Sequence, residues 1–112
     1  MVTYLLKKSY QLKSLKEIPF KDLWGDHGIF TTMWIYGKPP KILFFKNHID
    51  NLIKSLKKYG IKKKFIRRDI LEIINRNISL RNKYNHLLRV ALNKKVISIS
   101  LRKRVSPKLN FH

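Results

Sequence analysis

Few residues in this chain are of a type and setting that could do chemistry. Arg89 lies in Leu87-Leu88-Arg89-Val90, where a guanidinium alternating with apolar neighbours could reach a carboxylate. An outward-facing strand residue of a very basic chain reads the same way. Thr31 and Thr32 could line a pocket at a sheet edge, or pack as β-branched strand residues do. Asp22 and Asp26 stand beside Gly25 and Gly28, which suits turn formers better than a catalytic pair. His48 has no carboxylate placed in sequence to orient it, and His27, His86 and His112 are scattered without metal-ligand spacing. The densest basic cluster is Lys62-Lys63-Lys64 with Arg67 and Arg68, a pattern of solvated faces that could also contact phosphates.

Several chemistries are excluded outright. With no cysteine there is no thiolate nucleophile, disulfide framework or cysteine-based metal site. No phosphate-binding glycine loop, dinucleotide fingerprint, nucleophile elbow or zinc spacing occurs. The net charge of +20, from 26 Lys and Arg against six acids, attracts any polyanion and so names no partner; non-specific polyanion binding is expected. Alanine occurs once, at Ala91, while Lys, Ile and Asn abound, as A/T-rich codons would produce. The start has no apolar stretch of signal-peptide length, and no run approaches the ~20 residues of a membrane span. The expectation is a soluble, cytoplasmic protein with no membrane partner.

The elements that must position these residues follow from periodicity. A strand is predicted over residues 2–6, then an irregular connection over 10–22 containing Pro19. The β-branched and aromatic runs 29–36 and 41–46, joined by Gly37-Lys38-Pro39-Pro40, predict a hairpin. From Asn47 the period becomes helical, with Ile49, Leu52, Ile53, Leu56 and Tyr59 on one face and Gly60 as its left-handed stop. A second helix runs through Ile66, Ile70, Ile73, Ile74 and Asn77. After a loop over 81–85, strands 86–92 and 96–101 form a second hairpin around Asn93-Lys94-Lys95. The order β-ββ-αα-ββ argues for an α+β domain over residues 1–104, an antiparallel sheet of about five strands covered on one face by two helices. A basic tail, residues 105–112, would follow and fray.

In that order the motifs resemble the N-terminal small domain of the class IV aminotransferases, the fold-type IV pyridoxal-phosphate enzymes. The pattern D-x-x-x-x-G-D-G-x-F-x-T is similar to residues 22–32, with His27 adding one residue, and Phe30-Thr31-Thr32 is a variant seen among aminodeoxychorismate lyases. The helix start H-x-x-R-L resembles His48-Ile49-Asp50-Asn51-Leu52, with Ser55 and Gly60-Ile61 in family-like places. Leu87-Leu88-Arg89-Val90 resembles the strand on which branched-chain aminotransferases carry a basic residue near the substrate. The resemblance covers roughly residues 18–101. It implies substrate-binding candidates Arg89, Thr31 and Thr32, and Asn51 at the position whose arginine binds the cofactor phosphate. It also implies a homodimer, with pyridoxal phosphate held between this domain and a second one carrying the Schiff-base lysine. None of the 19 lysines here falls in a matching motif. The reading is of a stand-alone or truncated small domain with no catalytic residue of its own, completed by a homodimer partner or a separately encoded second domain. The alternative is a small basic nucleic-acid-binding protein, with Trp24, Trp34 and five tyrosines available for stacking.

Overall fold

A computed structural model describes residues 4–23 and 28–104. The elements in chain order are β1 (Tyr4–Gln11), β2 (Glu17–Ile18), β3 (Ile29–Gly37), β4 (Lys41–Ile42), α1 (Phe45–Tyr59), α2 (Ile66–Asn77), β5 (Tyr84–Leu92) and β6 (Val96–Lys103). The strands form one six-stranded sheet in the order β2-β1-β6-β5-β3-β4, and every pairing is antiparallel. The α+β class, the single sheet and the two helices agree with the sequence reading. The tail over 105–112 and the stretch Trp24-Gly25-Asp26-His27 lie outside the described residues.

Several boundaries differ from expectation, among them the start of β5 at Tyr84, inside the stretch 81–85 read as a loop, and the end of β6 at Lys103, two residues beyond Leu101. β1 continues to Gln11, and β2 forms within the stretch read as irregular, because Ser9 and Tyr10 are buried and pair with Ile18 and Glu17. The apolar run 41–46 is not a strand. β4 ends at Ile42, Leu43 gives one more backbone bond to Trp34 (2.9 Å), and Phe44 turns left-handed at φ 52° before α1 starts at Phe45. Phe45 packs on the core as the first residue of that helix. Period alone cannot separate a short buried strand from a helix start. At the other end, Tyr59 is 38% exposed, so the apolar stripe of α1 stops at Leu56.

The core lies between the helices and one sheet face. Leu88, Val90 and Leu92 of β5 sit opposite Leu101, Ile99 and Ile97 of β6, and all six are buried. Met33 and Ile35 of β3 join them, capped by Ile49, Leu52 and Leu56 of α1 and by Ile70, Ile73 and Ile74 of α2. Strand alternation sends the intervening residues to the helix-free face. Helix α1 ends in a Schellman motif. Gly60 takes φ 95°, its N–H donates to Lys57 O (3.1 Å), and Ile61 N–H donates to Leu56 O (2.9 Å) while its side chain is buried. No helix among the described residues is long and apolar enough to cross a membrane.

Candidate functional site

The helix-free face carries the residues of interest in register. Thr32 of β3 sits opposite Arg89 of β5, Arg89 opposite Ser100 of β6, and Ser100 opposite Lys7 of β1. One row along, Phe30 opposes Ala91 and Ala91 opposes Ser98. Arg89 is half-buried, and its guanidinium lies 4.5 Å from the centre of the Phe30 ring. Stacking on a ring holds the planar fork flat, which is what distinguishes an arginine site from a lysine one.

Across β1 and β6 this face is roofed by the segment leading to Leu23. Three hydrogen bonds tie it down. Ser98 Oγ donates to Lys21 O (2.7 Å), Lys21 N–H donates to Ser9 Oγ (2.8 Å), and the two serine oxygens are 2.6 Å apart. Either serine can donate to the other, since Ser9 Oγ also lies 3.5 Å from Lys21 O, and both arrangements satisfy the buried hydroxyls. Ile18 and Leu23 cover Ala91 and Val96 in a small second apolar cluster. Gly28 has to be glycine for the chain to enter β3 beside this cluster, since a Cβ there would lie 2.8 Å from Leu92 O.

Between roof and sheet is a concavity of about 70 Å³ whose polar walls include Lys7, Asp22, Arg89, Ser98 and Ser100. A shift in register between Tyr4 and Leu6 returns Tyr4 to this face, and Lys7 Nζ lies 4.8 Å from the Tyr4 ring and 5.4 Å from that of Phe20. Farther along, Trp34 and Tyr36 rings are 4.5 Å apart, Arg104 lies over Trp34 at 4.5 Å, and Trp34 Nε1 donates to Asn85 Oδ1 (2.9 Å). Cations on aromatic rings therefore run the length of the face.

The structure thus brings Thr32 to Arg89 but sends Thr31 the other way. Thr31 points to the helix layer, where its Oγ1 is 3.1 Å from Nδ1 of His48 on α1. Adjacent strand residues cannot share a face. Asn51 is exposed on α1, on the opposite side of the sheet from Arg89. Lys7, Ser98 and Ser100 escaped the sequence reading, and Phe30 entered it only as part of the Phe30-Thr31-Thr32 motif. Lys7 fell beyond the predicted end of its strand, and the others need a cross-strand register to acquire a neighbour. Among the described residues no three His, Asp or Glu side chains gather as a metal site.

Six antiparallel strands, with two helices on one face and a row of cations and aromatics on the other, define a small α+β domain. The chain belongs to the class IV amino-transferase family, whose model matches residues 28–108. Neither the comparison with curated proteins nor that with solved structures yields a match. The family is typically dependent on pyridoxal phosphate.

The residues present do not fit that cofactor in the family manner. Asn51 is a neutral, exposed amide at the position where the motif resemblance places a phosphate-binding guanidinium. Its neighbour Asp50 makes an ion pair with Arg67 and a longer one with Lys46 (3.7 Å). The hydrogen bond from Arg67 holds the Asp50 carboxyl below its ordinary value of 3.8, so the carboxylate beside Asn51 stays ionised between its two cationic partners.

Proposed function

We propose that this chain acts as the small domain of a class IV aminotransferase-type or aminodeoxychorismate lyase-type enzyme, contributing the substrate-carboxylate wall rather than the cofactor grip. Arg89 anchors the carboxylate of an amino or keto acid on the helix-free face, and Thr32 and Ser100 border it. The imine-forming lysine belongs to a second domain, reaching this face from the same or another polypeptide, and the pair works as a dimer in the cytoplasm. The observation that carries this reading is the half-buried guanidinium of Arg89 laid on Phe30 at the edge of a polar concavity. Without the second domain the chain is catalytically incomplete and binds its ligand weakly.

The test is an amide-resolved NMR titration of the full chain with pyruvate and alanine. Saturable shifts are expected at Thr32, Arg89 and Ser100. Arg89→Gln should weaken binding about 10-fold or more, and Arg89→Lys should not restore it, because an ammonium lacks the two-pronged geometry. Shifts that are absent, or that survive Arg89→Gln unchanged, would sink the reading.

A second reading, single-stranded nucleic-acid binding, is favoured by the Trp34–Tyr36 pair with Arg104 on the same face. It requires that Trp34→Ala weaken oligonucleotide binding at high salt, where simple charge attraction has faded.

A further inference from the structure

The basic cluster after α1 is not used by the carboxylate site, and it lies on a different part of the molecule. Two contiguous concavities there share Ile61, Lys62 and Lys63. The larger, about 460 Å³, lies over Ile53, Leu56 and Ile66, and the second, about 340 Å³, continues past Gly60 to Leu12. Lysines ring both, namely Lys13, Lys57, Lys62, Lys64 and Lys94, with Lys63 between. Lys63 is already committed, to Asp69 at 2.8 Å and to the carbonyl of Leu12. None of the other five has a carboxylate within 4 Å among the described residues.

The floor is purely aliphatic and the rim purely cationic. No aromatic ring lines either concavity, so a nucleic-acid base has nothing to stack on. Ammonium groups on flexible stems suit a compact anionic head, while their methylenes extend the apolar wall. The combined size is that of a small-molecule site.

We propose that this groove binds a single-chain anionic amphiphile, an alkyl carboxylate or alkyl phosphate free in solution. Its chain lies over Ile53, Ile61 and Ile66, and its head lies among the rim lysines. Charge complementarity selects the head and the aliphatic floor selects the chain.

The experiment titrates the full chain with hexanoate, octanoate and decanoate below micelle formation, read by calorimetry and by the methyl NMR signals of the isoleucines. One-to-one binding is expected, localised to Ile53, Ile61 and Ile66 and tightening about fourfold per methylene, or about fifteenfold from hexanoate to octanoate. Lys62→Gln with Lys64→Gln, both exposed positions, should weaken every chain length several-fold and leave the chain-length slope unchanged. The proposal is overturned by affinity that ignores chain length, which marks a charge patch alone. It is equally overturned by octanol binding as well as octanoate, or by uptake only of anionic vesicles or only of oligonucleotide.

Discussion

The hydroxyl oxygens of Ser9 and Ser98, 89 residues apart in sequence, lie 2.6 Å apart on the sheet face that carries Arg89. Through Lys21 they fasten the segment that walls the concavity, so a purely structural contact fixes the shape of the candidate site. Ser98→Ala removes the close donor to the Lys21 carbonyl and leaves the Ser9 hydroxyl only its longer contact to that carbonyl, at 3.5 Å. The expected cost is about 1–3 kcal/mol in urea unfolding, together with weaker carboxylate binding. Unchanged stability and binding would mean that the roof is not held this way.

Thr31 and Thr32 offer a sharper contrast because they differ only in face. Thr31→Val breaks the contact with His48 and should lower stability by about 1 kcal/mol, leaving pyruvate-induced shifts at Arg89 in place. Thr32→Val, beside Arg89, should do the reverse. Paired melting curves and titrations read both effects, and the same response from both variants would contradict the face assignment.

Two glycines of the family-like motifs are held for different physical reasons. Gly60→Ala should cost about 1 kcal/mol, because φ 95° is strained for any side chain although a Cβ there would make only ordinary contact with Lys94, at 3.6 Å. Gly28→Ala should cost about 1–3 kcal/mol through a clash with the Leu92 carbonyl rather than through its dihedral angles. Denaturant midpoints of the two variants measure both.

His86 supplies a pH dependence. Burial first, then the charge of Lys103, lowers its pKa below the ordinary 6.5, and its Nδ1 accepts the backbone N–H of Asn85 at 3.0 Å. With a depressed folded-state value, the unfolded chain takes up the proton first. The contribution to stability is therefore complete above 6.5 and is lost as pH falls from there through the lowered folded value. His86→Gln should flatten the stability profile in that window, measured by thermal melts at fixed ionic strength. A profile identical to that of the parent chain would remove His86 as the cause.

Much of this protein was legible in its residues. Period-two alternation at Leu88, Val90, Leu92, Ile97, Ile99 and Leu101 fixes which face of the last hairpin is core, and the step from Ile49 to Leu52 to Leu56 fixes the first helix, because burial demands one apolar stripe per element. Gly60 announces the stop of that helix because a side chain there is strained. The family motifs were equally visible as words in the sequence. Local pattern could not decide Phe45, whose apolar run suits a strand or a helix start until a core exists to receive it. Nor could it give Lys7, Phe30, Ser98 and Ser100 their neighbours, since the cross-strand pairs that make them neighbours join distant parts of the chain. The separation of Thr31 from Thr32 was implicit in strand geometry, but only the packed helix layer determined which of the two meets His48 and which meets Arg89.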